Sequence, residues 1–215
     1  MKNRIVLLGP PASGKGTQAA LLGAAFGIPH TSTGAMLRDE RAKGTALGAE
    51  ADSYTSRGLL FPDELALRVV REWLQGKTRF LLDGFPRTIG QAMAFDAYLG
   101  DRSLPLDVVY FLELDQSEIE TRILGRLTCG SCGSVFNETF NRISAEDPCP
   151  KCGGPLERRN DDTIDALENR MTQYHEMTEP VARHYRDSGL LKSVDAGAGR
   201  DALFKSLYDD IREAA

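Results

Sequence analysis

The sequence predicts an α/β fold in which a five-stranded parallel sheet flanked by helices carries two insertions, a small helical one and a β-rich one. Three observations predict it. Ile5–Leu8 is a short apolar run without alternation that feeds the loop Gly9-x4-Gly14-Lys15 and then a helix. Strand-like and helix-like stretches go on to alternate five times, and four cysteines fall within 24 residues of one another. Alternation of that kind lays strands side by side in parallel, because each parallel crossover needs a return of helix length.

Four consecutive apolar residues are too few for a helix and suit a strand buried on both faces. Gly9 and Gly14 let the next loop turn and approach a ligand closely. The helix opening near Lys15 aims unpaired N–H groups and its positive dipole end at an anion, and the lysine adds a mobile charge able to reach a β- or γ-phosphate. The spacing is that of a nucleotide-binding loop whose hydroxyl is displaced by one position, Gly16-Thr17 replacing an immediate Ser or Thr. Ala19, Leu21, Leu22, Ala25 and Phe26 form the apolar face of this helix and Gly27 its stop. A second strand is expected near residues 28–30, followed by a helix capped by Ser32 or Thr33 and carrying Arg38. Residues 39–61 are rich in Ala, Gly and charge, with Gly44, Gly48 and Gly58 interrupting the helical pattern, and read as short helices with a modest core.

Pro62-Asp63-Glu64 starts another helix, with carboxylates near its positive end and Leu65, Val69 and Trp73 directed inward. Gly76 ends it. Phe80–Leu82 is a third buried strand that runs into Asp83-Gly84-Phe85-Pro86-Arg87-Thr88, so polar groups stand at a strand's C-terminal end, where open parallel sheets bind ligands. A helix over 89–99 and a strand over 108–112 continue the pattern. Ser117 and Glu120 have capping-box spacing, which predicts a helix from about 118 to 127 with Arg122 and Arg126 on one face, where a polyanion would relieve their repulsion. After the cysteines, Thr163 or Asp162 caps a long helix with a stripe of Ile164, Leu167, Met171 and Tyr174, beside which Arg170 can point back to the sheet edge. His175 and His184 carry no ligand pattern. A fifth strand over 190–194 turns through Gly197 and Gly199 into a last amphipathic helix bearing Leu203, Leu207 and Ile211.

Cys129-x2-Cys132 and Cys149-x2-Cys152, separated by sixteen residues, have the spacing of a four-cysteine zinc site. Gly130, Gly133 and Gly153 supply the freedom that tight metal knuckles need, while Val135, Phe136, Phe140 and Ile143 alternate with polar residues as in small hairpins. A segment of about 38 residues has too little core to hold itself together, and a closed thiolate–zinc centre contributes the missing energy, which makes the metal structural. Two disulfides are the competing reading. Clustered cysteines, the start of a strand directly after Met1-Lys2-Asn3-Arg4 and the lack of an 18-residue apolar run lead us to expect a cytoplasmic protein without membrane partners. A formal charge of −5 argues against a broad nucleic-acid-binding face.

Gly9–Thr17, Ser32–Arg38, Asp83–Thr88 with Gln91, Arg122 and Arg126, Arg159, Arg170 and Tyr174-His175-x-Met177-Thr178 together resemble the adenylate kinase family over essentially the full length, in its bacterial, long-lid, zinc-binding form. The resemblance implies a P-loop core (1–31, 62–124 and 163–215), an AMP-binding segment (32–61) and a zinc-binding lid (125–162). It implies the reaction ATP + AMP ⇌ 2 ADP with Mg²⁺, carried out by a monomer. Lys15, Arg87, Arg122, Arg126, Arg159 and Arg170 would act in catalysis, and Gly14, Lys15, Gly16, Thr17, Arg122, Val135, Phe136 and Ala198 would meet ATP. Thr33, Arg38, Leu59, Leu60, Phe61, Gly84, Arg87, Gln91, Arg159 and Arg170 would meet AMP, with Asp83 acting on Mg²⁺ through water and Cys129, Cys132, Cys149 and Cys152 holding Zn²⁺. The chain departs from the family pattern at Ala12, usually glycine, and at Ala35, usually aspartate. A UMP/CMP or thymidylate kinase is the nearest rival, and a zinc-ribbon nucleic-acid-binding ATPase regulator is an alternative of a different class.

Overall fold

The computed structural model describes residues 1–55, 62–160 and 162–213, the side chains of residues 51–53 and 55 excepted. Strand β1 (Arg4–Leu8) lies at the centre of a parallel sheet. Helix α1 (Lys15–Phe26) leads to β2 (His30–Ser32), and α2 (Thr33–Ala42) and α3 (Ala46–Thr55) follow. Helix α4 (Asp63–Trp73) precedes β3 (Phe80–Asp83), and α5 (Ile89–Asp101) precedes β4 (Val108–Glu113). Helix α6 (Gln116–Leu124) hands over to the β-rich insertion, which contains β5 (Arg126–Cys129), β6 (Val135–Asn137), the single turn α7 (Glu138–Asn141) and β7 (Leu156–Glu157). Helix α8 (Ile164–Gln173) continues through a wide π turn at Tyr174–Thr178 into α9 (Glu179–Asp187), and β8 (Leu191–Asp195) and α10 (Arg200–Arg212) close the chain.

The main sheet runs β2-β3-β1-β4-β8, all parallel. The five expected strands are therefore present, the second displaced to 30–32, where Thr31 and Ser32 pair with Leu82 and Asp83. The missing alternation in Ile5–Leu8 has a direct cause, because both faces of the sheet are covered. Ile5, Leu7, Leu81, Val108 and Tyr110 pack with Leu22, Leu203, Leu207 and Ile211 beneath α1 and α10. Val6, Leu8, Phe80, Leu82 and Val109 pack with Val70, Phe95 and Tyr185 beneath α4, α5 and α9. Each fully buried Leu or Phe contributes about 1.5–3 kcal/mol, so the two layers hold the strand ends in fixed register.

Four local expectations are corrected. Gly48 does not interrupt a helix; it lies within α3, where a Cβ would come within 2.4 Å of the Arg41 backbone nitrogen, so the absent side chain lets α3 cross α2 closely. Asp115, not Ser117, precedes α6, and this helix stops at Leu124, so Arg126 opens β5 and shares no helical face with Arg122. The stop is set by packing: a Cβ on Gly125 would meet the Asn137 amide at 3.0 Å, and Asn137 Nδ2 donates to the Arg122 carbonyl (3.1 Å), satisfying the helix end. Phe140 belongs to α7 and not to a hairpin strand, and Ile164 is exposed instead of joining the stripe of α8. His175 Nδ1 lies 3.1 Å from Glu179 Oε2 and His184 Nε2 lies 2.9 Å from Asp96 Oδ2, both at hydrogen-bond distance.

Candidate functional site

The loop after β1 and the residues after β3 lie side by side at the C-terminal edge of the sheet, because β1 and β3 pair in parallel from Arg4–Phe80 through Leu7–Asp83. Connections leaving the neighbouring strands β1 and β4 run to opposite sides of the sheet, which opens a crevice there. The loop is tightly built. A Cβ on Gly9 would strike the Leu112 carbonyl at 2.5 Å, and Gly14, preceding α1, takes the left-handed conformation at φ 87°. Ala12 also adopts the left-handed region, at φ 59°, so the alanine departure leaves the turn in place at a steric cost of about 1–2 kcal/mol.

Lys15 Nζ folds into this loop, donating to the carbonyls of Gly9 (3.0 Å) and Pro10 (2.7 Å). Burial lowers its pKa to about 8 against the opposing pull of Asp83, with Arg87 and Arg126 adding like-charge repulsion. Asp83 stands next to the start of α1, where a Cβ on Gly16 would lie 3.1 Å from its Oδ2. Burial pushes the Asp83 carboxyl upward while Lys15, Arg87, Arg159 and Arg38 pull it back. Arg87, in turn, is pushed down by burial, supported by Asp83 and opposed by Arg170. Lys15, Arg38, Arg87 and Arg159, from distant stretches, thus act on the Asp83 carboxylate, while Arg126 faces Lys15 and Arg170 faces Arg87. A cluster of this sign and density is built for a polyanion.

The individual positions follow from local structure. Ser32 Oγ accepts from Ala35 N–H (3.0 Å) and caps α2, leaving Thr33 buried on its first turn and Arg38 exposed one turn on. Arg87 Nε donates to the Gly84 carbonyl (2.7 Å), and Gly84 itself has φ 66°. Gln91 is buried, with Oε1 accepting from Arg87 N–H (2.8 Å) and Nε2 donating to Asp63 (2.9 Å). Arg122 pairs with Glu118 (2.7 Å), donates to the Ala196 carbonyl (3.1 Å) and lies 5.9 Å from the Phe140 ring centroid, at the side of the site where the loop bearing Ala198 begins. Arg159 Nε donates to Thr128 Oγ1 (3.1 Å) on β5. Val135 and Phe136 lie on β6, and Phe136 packs on the small core of the insertion. Thr17 is half-buried on the first turn of α1. Leu59, Leu60 and Phe61 lie outside the described residues.

Three contributors had no site role in the sequence reading. Asp162 receives both prongs of Arg126 and stands 3.6 Å from Arg170. Asp63 joins Gln91 and Thr88. Thr178, at the end of the π turn, donates from Oγ1 to the Arg87 carbonyl (3.1 Å). The sequence signals were the acidic pair at 161–162 and the acid following Pro62, both of which also suit a helix start, and for Thr178 its place in the Tyr174–Thr178 stretch.

The four cysteine sulfurs lie within 4.8 Å of one another, with Cys129–Cys152 at 3.5 Å and Cys132–Cys149 at 3.8 Å. Ligands about 2.3 Å from a tetrahedral centre stand about 3.8 Å apart, so the set fits zinc. The two knuckles match: Gly133 N–H donates to the Cys129 carbonyl (2.9 Å) and Gly153 N–H to the Cys149 carbonyl (2.8 Å). Around them the buried core amounts to Leu127, Cys129, Cys149 and Leu156, too little to hold the segment without a cross-link.

A parallel sheet with a glycine loop of phosphate-binding type at its centre and arginines gathered over its edge fits a protein that handles nucleotide phosphates, and the relatives below make it a nucleoside monophosphate kinase, a phosphotransferase. The sequence model of the adenylate kinase family matches residues 7–190. The chain is 44% identical over 209 residues to the adenylate kinase of Desulfitobacterium hafniense (strain DSM 10664 / DCB-2), covering 96% of both chains. It is 42% identical over 207 residues to that of Thermodesulfovibrio yellowstonii (95% of this chain, 96% of the relative). With that of Methanocella arvoryzae the identity is 41% over 215 residues (99% and 100%). The chain belongs to the adenylate kinase family.

Proposed function

We propose that this protein catalyses ATP + AMP ⇌ 2 ADP with Mg²⁺, acting as a cytoplasmic monomer. The observation that carries the reading is the gathering of Lys15, Arg38, Arg87 and Arg159 around Asp83, with Arg126 beside Lys15 and Arg170 beside Arg87. Phosphoryl transfer needs in-line positioning and neutralisation of spreading charge more than covalent chemistry, and the AMP phosphate oxygen is already anionic, so no general base is required.

In this reading the loop amides and Lys15 hold the ATP phosphates. Lys15 exchanges the Gly9 and Pro10 carbonyls for phosphate oxygens, and its charge is restored by that contact. Arg38 and Arg87 clamp the AMP phosphate, while Thr33, Gly84 and Gln91 place the nucleoside. Arg126 and Arg170 leave Asp162 for the transferring group, joined by Arg159, and Arg122, Val135, Phe136 and Ala198 border the ATP side. Residues 32–61 act as the AMP-binding segment and 125–162 as a lid that excludes water, which would otherwise accept the phosphoryl group. Mg²⁺ supplies Lewis-acid neutralisation of the phosphates. The Asp83 carboxylate, beside Gly16 at the start of α1, suits an ion that keeps several waters and takes few protein ligands. Zn²⁺ on Cys129, Cys132, Cys149 and Cys152 holds the lid together.

The test is a coupled assay of ADP formation with ATP, Mg²⁺ and, in turn, AMP, CMP, UMP and dTMP. AMP is expected to exceed the others by at least about 100-fold in kcat/KM, the scale set by a base-reading hydrogen-bond site. Faster turnover of UMP, CMP or dTMP overturns the proposal in favour of another monophosphate kinase.

A further inference from the structure

We infer that Asp63 is a specificity-positioning residue that locks the Gln91 side-chain amide in one orientation, so that the monophosphate's base meets a donor and an acceptor in fixed order. This deepens the proposed role of Gln91 toward AMP and rests on it.

The lock is a closed hydrogen-bond circuit between the first turns of α4 and α5. Asp63 Oδ1 accepts from Gln91 Nε2 (2.9 Å), and Asp63 Oδ2 accepts from Thr88 Oγ1 (2.8 Å). Thr88 Oγ1 in turn accepts from Gln91 N–H (3.0 Å), and Gln91 Oε1 accepts from Arg87 N–H (2.8 Å). Gly90 makes the approach feasible, since a Cβ there would stand 2.8 Å from Asp63 Oδ2. An amide normally leaves its two ends interchangeable, but a carboxylate can only accept and a backbone N–H can only donate. Turning Gln91 over would press its oxygen against the Asp63 carboxylate and its NH₂ against the Arg87 N–H. With Gln91 only 2% exposed, water cannot compensate either mismatch.

The circuit uses one Nε2 hydrogen and one Oε1 lone pair. One donor and one acceptor remain, side by side and in set order. A 6-aminopurine offers the complementary edge, an exocyclic N–H next to a ring nitrogen acceptor. A 6-oxopurine of the same size presents a carbonyl next to a ring N–H, the reverse order, and only an amide free to turn over can serve both.

Steady-state kinetics at saturating ATP with AMP and with inosine monophosphate test this in the intact enzyme and in Asp63→Ala, Asp63→Ser, Asp63→Asn and Gln91→Leu. Where inosine monophosphate turns over too slowly, its inhibition constant against AMP replaces kcat/KM. Asp63→Ala is expected to raise the KM for AMP about tenfold with kcat within threefold, and to reduce AMP preference over inosine monophosphate at least tenfold. Asp63→Ser keeps a polar residue at the start of α4 but is too short to reach the amide, so it should behave alike and carries the test if the alanine variant does not fold. Asp63→Asn, whose carbonyl still accepts from Gln91 and whose NH₂ can donate to Thr88, should retain the preference within threefold. A preference unchanged in folded Asp63→Ala or Asp63→Ser, with both KM values moving together, overturns the lock. Should Gln91→Leu also leave the preference unchanged, the base-reading role of Gln91 fails as well; should it abolish the preference, only the Asp63 inference falls.

Discussion

Asp162, at the exit of the β-rich insertion, grips Arg126 at its entrance through both guanidinium prongs, with Arg126 Nε 2.7 Å from Oδ2. Arg170, on the core helix α8, approaches the same carboxylate to 3.6 Å. One buried acid therefore balances two cations at the place where the insertion joins the sheet domain. Removing it takes the carboxylate from Arg126, and a broken buried pair costs about 3–5 kcal/mol. Asp162→Asn should melt several degrees below the native protein. Because phosphates can supply the missing anion, ATP plus AMP should raise the melting temperature of the variant more than that of the native protein. An equal ligand-induced shift in both would show that Asp162 does not share its arginines with the nucleotides.

Ala12 holds φ 59° where a side chain is sterically penalised. Ala12→Gly relieves the strain at a small entropic cost in the unfolded chain, for a net gain of about 1 kcal/mol, or about 2–4 °C in a protein of this size. Thermal unfolding checks this directly.

Lys15, lowered to about 8 by burial, loses its charge as pH rises through that value. In its proposed role toward phosphate Lys15 acts as the ammonium form. The dissociation constant for ATP, measured calorimetrically, should be flat below pH 7 and weaken by up to about tenfold per unit above pH 8. Lys15→Met should bind ATP more weakly at neutral pH and lose the rise.

Asp210 accepts from Tyr110 Oη (2.5 Å), Lys192 Nζ (2.5 Å) and Lys2 Nζ (2.9 Å), joining α10 to β4, β8 and the N-terminus. Burial opposes its ionisation, but these donors prevail and bring its pKa from 3.8 to about 2. A depressed carboxylate adds stability that is full above its unfolded value and disappears as pH falls through about 2. Asp210→Asn should lose about 1–2 kcal/mol at pH 7, the shift being discounted for solvent screening, and should lack that part of the acid transition between pH 4 and 2.

If, as proposed, Cys129, Cys132, Cys149 and Cys152 hold zinc, chelation should lower the melting temperature on the order of 10 °C, because so small a core as Leu127 and Leu156 cannot replace it. Turnover that vanished on chelation with thermal stability unchanged would contradict a structural role.

The sheet was legible because burial on both faces leaves a plain mark, uninterrupted apolar runs at Ile5–Leu8 and Phe80–Leu82. The cysteine knuckles were legible because metal geometry dictates local spacing. The helical face predicted for Arg122 and Arg126 was wrong because contacts with Asn137, remote in sequence, end α6 at Gly125. Asp63 read as a helix-start acid because its partners Thr88 and Gln91 lie 25 and 28 residues away.

From the sequence alone came the succession of strands and helices, the glycine loop after β1, the paired cysteines and the inventory of cations, all carried by neighbouring residues whose spacing obeys backbone periodicity. Tertiary structure alone decided which charges meet: that Asp83 receives four cations, that Asp162 holds Arg126 and Arg170, and that Asp63 orients Gln91. Side-chain electrostatics depends on distances through space, and those are set by how the layers pack and where the helices end, not by position along the chain.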